Sequence, residues 1–194
     1  MQELYKYLEN EWNHLNDGTR KSKHQFHLFT IATINQNKPE QRTVVLRGVN
    51  KEKSSIYFHT DKRSPKLKSI ESNNLVSALF YDSDRRVQLR INCFAYIEKS
   101  ERTLIKIWNS MRAQSKLCYM GPFNPSEEIE NFTPNLPRIS EKEITKKDED
   151  LGLSRFCRVR LKMNELELLK LNYKGHKRMK FIFGKNITCK WIAS

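Results

Sequence analysis

Apolar positions along this chain recur first with a helical period and then, for most of its length, with a period of two. Leu4, Leu8, Trp12 and Leu15 are spaced by four, four and three residues, which predicts an amphipathic helix over 2–16 ended by Asp17-Gly18. Phe26 to Ile34 and Thr43 to Val49 read as a hairpin around a loop from Asn35 to Glu40, and Ser55 to Thr60 continues the meander. Ser64 as cap and Pro65 at the first helical position open a short helix with Leu67 and Ile70 facing inward. Leu75 to Tyr81, a turn at Asp82-Ser83-Asp84 and Val87 to Ile97 form the next strand pair. In the second, Val87, Leu89, Ile91, Cys93, Ala95 and Ile97 share one face, and Gln88, Arg90 and Asn92 the other.

A second helix starts at Ser100-Glu101-Arg102, with Leu104, Ile107 or Trp108, and Met111 as its stripe. Four of the six prolines then fall between Pro122 and Pro137, and Glu141 to Asp150 is a mixed-charge run read as a solvated face or mobile connection. Cys157, Val159, Leu161 and Met163 alternate with Arg158, Arg160 and Lys162 along a strand with one wet face. Leu166 to Leu171, Met179 to Phe183 and Thr188 to Ile192 add three more. About eight strands joined by short turns, two substantial helices and a short one predict a mainly β, α+β protein: an antiparallel barrel or meander with appended helices. The expected organisation is a single domain over 1–194, with the N-terminal helix in 1–20 and a loop-rich, charged insertion at 113–150.

Composition narrows the chemistry. The 194 residues include 36 Lys and Arg against 22 Asp and Glu, a net charge of +14, and no run approaches the ~18 apolar residues of a membrane span. Cys93, Cys118, Cys157 and Cys189 show no metal-ligand spacing and read as buried free thiols of a reducing cytoplasm. His24 and His27, on opposite sides of an extended segment, read as turn or surface residues; no metal site is expected. The six scattered glycines spell neither G-x-G-x-x-G nor G-x-x-x-x-G-K-[ST]. A phosphate would therefore have to be held mainly by Arg, Lys, Ser and Thr side chains.

Three patches carry such groups: Arg42-Thr43-Val44-Val45-Leu46-Arg47, His59-Thr60 through Ser64-Pro65-Lys66 at a strand-to-helix junction, and Gln88 with Arg90. Each has an ordinary structural reading: edge arginines, a helix cap with solvated cations, and a surface amide. Their order and spacing, however, resemble the R-x-V-x-L-[KR], F-x-T-x-x-x-S-x-K and V-Q-L-R segments of the pyridoxamine 5'-phosphate oxidase-like family of FMN-binding split β-barrels, from about Arg42 to Trp191.

The resemblance implies a homodimer with FMN at the subunit interface and a small-molecule substrate. It places Arg42 and Lys66, helped by Thr60 and Ser64, on the FMN phosphate, and the backbone of Val44 to Arg47 along the isoalloxazine. It sets His59 nearby, Gln88 at the polar edge, and Ser126 and Lys180 among the cofactor contacts. Arg47, Arg112, His176 and Arg178 become the candidates for an anionic substrate. Pro65 stands where the family's oxidases carry Arg, and Ser110-Met111-Arg112 replaces an S-R-P-like segment. Glu167-Leu168-Leu169 and His176-Lys177-Arg178-Met179-Lys180 depart from the usual C-terminal E-F-W and R-L-H-D-R, as in a side branch of the family. FMN-dependent oxidation by a flavoprotein is the expected function. A split barrel holding haem or a deazaflavin, and a basic nucleic-acid-binding barrel, are the alternatives; the lack of an RNP-like aromatic run and of a basic helix weighs against nucleic acid.

Overall fold

The structure is a computed structural model that describes residues 2–193. Helix α1 spans Gln2–Arg20 and buries Leu4, Leu8, Trp12 and Leu15 as their spacing predicts. It does not stop at Asp17-Gly18. Gly18 is a buried helical residue whose Cβ, if it had one, would lie 2.7 Å from the Phe26 carbonyl oxygen, so glycine serves close approach here rather than termination.

Strands β1 (Leu28–Asn35) and β2 (Lys38–Val45) pair in full antiparallel register. The loop expected over Asn35 to Glu40 is only Gln36-Asn37, both with positive φ (47° and 63°), as a two-residue hairpin turn matched to strand twist requires. Pro39 consequently lies within β2. It is tolerated there because β2 is the sheet edge, where a missing N–H breaks no ladder. The short β3 (Gly48–Asn50) pairs with β4 (Ser55–Asp61). Next come α2 (Pro65–Ser72), β5 (Leu75–Asp82), β6 (Val87–Ile97) and α3 (Glu101–Ser110), which Ser100 caps by accepting from the Thr103 N–H.

The expected loop-rich insertion holds more helix than its charge suggests. After α4 (Ala113–Leu117), the Glu141 to Asp150 run forms a 3₁₀ turn at Glu141–Glu143 and enters α5 (Lys146–Arg155). Thr145 and Asp148 cap α5 reciprocally, side chain to backbone. The two C-terminal strands expected over Cys157–Met163 and Leu166–Leu171 are one, β7 (Phe156–Lys170). Its buried residues run Val159, Leu161, Met163 and then Leu166, Leu168, a one-residue change of phase like that of a β-bulge. β8 (Lys177–Phe183) and β9 (Ile187–Ile192) complete an antiparallel, unclosed sheet in the order β2-β1-β5-β6-β7-β4-β3, with β8 on β7 and β9 on β8.

The chain divides into two compact units. The larger comprises Met1–Phe58, Ser69–Tyr96 and Arg160–Ser194. Its core is a series of rings, Phe26 to Phe80 (5.3 Å between centroids), Phe80 stacked on Phe29 (4.6 Å) and Phe29 to Phe58 (6.3 Å), with Ile31, Leu89 and Ile91 fully buried. The smaller comprises His59–Lys68 and Ile97–Val159 and packs Trp108, Tyr119 and Phe156 together with Leu104 and Met120. A Cβ on Gly152 would lie 2.6 Å from the Trp108 ring, which accounts for glycine inside α5. Of the four free cysteines only Cys93 and Cys157 are buried; Cys118 is exposed and Cys189 half-buried. Burial pushes the Cys93 thiol up to about 12, which makes it inert. Among the described residues no helix is long and apolar enough to cross a membrane.

His24 and His27 are turn residues, as expected. His27 Nδ1 lies 2.7 Å from the Gly18 carbonyl, and His24 Nδ1 accepts the Phe26 N–H at 3.0 Å, capping the 3₁₀ turn Gln25–His27. That cap assigns the proton of neutral His24 to Nε2, which faces His14 Nδ1 at 3.4 Å. Burial, then the charge of His14, hold the His24 pKa below its ordinary 6.5, with Arg85 acting the same way and Asp82 and Asp17 opposing. A folded pKa below the unfolded one means that the native state binds fewer protons, so this contribution to stability is full above about pH 6.5 and is lost as the pH falls below it. The urea midpoint should therefore drop between about pH 7.5 and 5.5. His24→Asn keeps a capping acceptor without titrating and should drop less; equal drops would remove His24 as the cause.

Candidate functional site

The smaller unit supplies a cluster of donors where β4 runs into α2. The Ser64 N–H donates to the Asp61 carbonyl (3.0 Å), and the Leu67 N–H to that of Ser64 (3.0 Å), folding the chain back on itself. Lys66 Nζ then reaches both the Thr60 Oγ1 (3.0 Å) and the Ser64 Oγ (2.5 Å). Both hydroxyl residues are buried. Having accepted from the ammonium, each hydroxyl keeps its own proton to donate, so the cluster offers a positive charge, two O–H donors and a helix start to an anion. Arg63 is directed elsewhere, onto the buried Asp61 carboxylate (2.8 Å) and the Gly121 carbonyl (3.3 Å). His59 is half-buried, its ring edge-on to Phe156 at 4.9 Å. Thr60, Ser64 and Lys66 are thus together as expected. Arg112 and Ser126, also in this unit, are exposed, the first at the start of α4 and the second with φ of 68°.

The larger unit holds the other candidates. Arg42, on β2 opposite Ile31, donates to the buried Thr33 Oγ1 (2.6 Å), the Glu40 carbonyl (2.9 Å) and the Glu40 carboxylate (2.9 Å). Thr43 is exposed and Val44 and Val45 are half-buried. The Leu46 side chain is fully buried. Its N–H donates to the His27 carbonyl, and that of Arg47 to Tyr57, both at 2.8 Å. These two N–H groups are therefore already engaged within the chain. The Arg47 side chain is exposed.

Register separates two of these residues. In an antiparallel pair directly opposed residues share a face. Arg42 therefore lies on the face of Ile31, Ala78 and Ile91, whereas Gln88, opposite Tyr81, lies on the other with Leu79 and Arg90. That outer face exposes Leu28, Leu75, Leu79 and Tyr81.

On β8, Arg178 and Lys180 converge on β7: Arg178 Nη2 is 2.5 Å from Glu167, and Lys180 Nζ is 3.1 Å from Glu167 and 3.0 Å from Glu165, with Arg90 at 3.6 Å. The hydrogen bond from Arg178 holds the Glu167 carboxyl below the usual carboxylate range; burial opposes it, and Lys180 and the charges of Arg178 and Arg90 add to the lowering. His176 is exposed and its Nδ1 accepts the Asn172 N–H (3.1 Å), closing the β7–β8 turn in which Gly175 takes φ of +126°. The acids Glu40 and Glu167 escaped the motif-based reading. Their signal was present as Glu40-x-Arg42 and Glu165-x-Glu167, since residues two apart on a strand share a face. Among the described residues no cluster of three or more His, Cys, Asp or Glu could hold a metal ion.

Comparison with known proteins agrees with this architecture. Residues 8–99 match the family model described as pyridoxamine 5'-phosphate oxidase, FMN-binding domain. The chain is 29% identical over 162 residues to the pyridoxine/pyridoxamine 5'-phosphate oxidase 2 of Arabidopsis thaliana, covering 78% of this chain and 76% of that protein. Its fold is similar to a pyridoxamine 5'-phosphate oxidase-related, FMN-binding protein of Nostoc punctiforme, with a TM-score of 0.72, 21% identity and coverage of 95% and 96% of the two chains. It is also similar to PhzG of Burkholderia lata, solved with tetrahydrophenazine-1-carboxylic acid, at a TM-score of 0.69, 15% identity and coverage of 100% and 91%. Residues 8–99 are thus similar to the pyridoxamine 5'-phosphate oxidase FMN-binding domain, the fold is that of its split-barrel relatives, and the cofactor of the matched domain is FMN.

Replacing Glu167 by Gln should leave Arg178, Lys180 and Arg90 as neighbouring cations with one fewer carboxylate. The expected loss is about 1–2 kcal/mol, read as a lower urea midpoint, and it should be larger at low salt than at high salt.

Proposed function

We propose that this protein is a homodimeric, FMN-dependent oxidoreductase acting on a small anionic organic substrate. The observation that carries the reading is the donor cluster of Lys66, Thr60 and Ser64, which offers one positive charge and two hydroxyl donors to a phosphate and lies at the family's F-x-T-x-x-x-S-x-K segment. Arg42, Thr43 to Arg47, His59, Ser126 and Lys180 are the further cofactor contacts that the family resemblance supplies. Gln88 offers paired donor and acceptor atoms to the flavin's polar edge. FMN, when bound, would supply the hydride-transfer chemistry, with oxygen or another acceptor as the electron sink. The chain's own part is to bind, orient and tune.

The second copy has a physical reason. Arg42 and Gln88 face opposite sides of one sheet, so a single flavin meets both only when one of them comes from a partner subunit. The exposed Leu28, Leu75, Leu79 and Tyr81 beside Gln88 give the partner an apolar surface to cover.

For the substrate, Arg47 and Arg112 present exposed guanidinium groups, while Arg178 reaches an anion only in competition with Glu167 and His176 only through Nε2. The Arabidopsis relative is named for phosphorylated substrates, and PhzG was solved with a carboxylic acid, which favours an anion here. Pro65 and the altered C-terminal motif depart from the residues that hold vitamin B6 phosphates in the family's oxidases, while the proposed FMN contacts are retained. The free cysteines fit a cytoplasmic setting.

The purified protein should carry FMN, one per subunit, and run as a dimer by light scattering. Lys66→Ala should weaken FMN binding at least tenfold, about 1.4 kcal/mol, and Leu79→Glu should yield monomers that lose flavin. A colourless protein with no affinity for added FMN would overturn the reading. Anaerobic bleaching of the flavin by pyridoxamine phosphate or pyridoxine phosphate would identify the substrate class.

A further inference from the structure

The R-x-R-x-K alternation on the wet face of β7 has no part in the site above, yet Arg160 and Lys162 border a separate hollow of about 410 Å³ in the larger unit. Lys53, from the β3–β4 turn, lies on its rim. Several other cations of that unit are neutralised by a neighbouring acid. Arg42 is matched by Glu40, Arg85 by Glu11 and Asp82, Arg178 by Glu167, and Lys180 by Glu165 and Glu167. Among the described residues Lys53, Arg160 and Lys162 have no ion-pair partner. Glu52, also on the rim, is the one acid that borders the hollow. The net surplus of two positive charges equals the charge of a phosphate monoester near neutral pH.

The remaining walls suit a ring. The Arg160 guanidinium carbon sits 4.8 Å from the centre of the Tyr96 ring, and Tyr96 is 40% exposed. Stacking orients the guanidinium fork, which otherwise loses side-chain freedom on binding a phosphate, and leaves Tyr96 open to a planar ligand. Met163 and Phe183, both buried, form an apolar floor, and Ser54 adds a hydroxyl. Convergent charged groups above this small apolar floor, in a hollow of this volume, leave room for a small molecule. Tyr96 also lies eight residues beyond Gln88 on β6, roughly 26 Å at ~3.3 Å per residue, so the hollow is not the position proposed for the flavin's polar edge.

We infer that this hollow binds an organic phosphate bearing a planar ring, of the mononucleotide class, with Arg160, Lys162 and Lys53 on the phosphate and Tyr96 on the ring. The inference does not rest on the flavin reading. Adenosine 5'-monophosphate, titrated calorimetrically into the full-length protein saturated with FMN, is the probe. The expected result is saturable binding, at least tenfold tighter than adenosine or inorganic phosphate. Arg160→Ala with Lys162→Ala should weaken it at least tenfold at unchanged FMN content and unfolding temperature. Lys53→Glu, a change on an exposed turn, should weaken it as well. No binding by the parent protein, or equal binding by the variants, would overturn the inference. So would much tighter binding of a single-stranded RNA decamer than of the mononucleotide, which would show an extended polyanion surface instead.

Discussion

The stacked Phe29 and Phe80 rings, with Phe26 and Phe58 at their edges, commit one face of the larger unit's sheet to the interior. Because side chains alternate along a strand, that commitment decides the direction of every other residue on β1, β5 and β6. Phe80 inward means Leu79 and Tyr81 outward; Leu89 and Ile91 inward mean Gln88, Arg90 and Asn92 outward. A slip of one residue would exchange the sets and bury Arg90. The polar geometry of this unit is thus a consequence of its aromatic packing rather than an independent design.

The same alternation separates groups that the motifs present as one series. Read along the chain, Arg42 and Gln88 are two members of one signature; in the sheet they stand on opposite faces. On the proposed reading, a monomer with this register would hold two half-sets of flavin contacts. Assembly with a second copy would then bring both residues to one flavin and cover the exposed leucines and Tyr81 of the outer face.

Much of this was legible in the sequence, for identifiable reasons. Strand β6 and helix α1 announced themselves because their periodicity is sustained over several residues of one face. The hairpin turn was overestimated because Pro39 looks like a loop residue, and only the position of β2 at the sheet edge permits it in a strand. β7 read as two strands because its phase shift near Asn164 mimics a break. Helix α5 was hidden by its charges, although Thr145-x-x-Asp148 spelled its capping box. At the site, the donors around Lys66 are close in sequence and could be grouped directly. The pairing of Arg178 with Glu167 depends on the β7–β8 register, which spacing alone does not specify.

Those pairings decide which cation an incoming anion meets most readily. A ligand phosphate at Arg42 must displace the Glu40 carboxylate, and one at Arg178 must displace Glu167, so much of each new attraction offsets one already present. At Lys66 the ammonium donates to the hydroxyls of Thr60 and Ser64, and both can turn their protons to an incoming anion. Side-chain entropy is already reduced before binding, which is what preorganisation means for a flexible lysine. On the proposed reading, two hydroxyls and one amine would do in this chain, which has no glycine-rich loop, what backbone N–H groups do in other nucleotide sites. The paired arginines are then suited to orientation and discrimination more than to affinity, because they yield to an anion only when its geometry improves on the carboxylate it replaces.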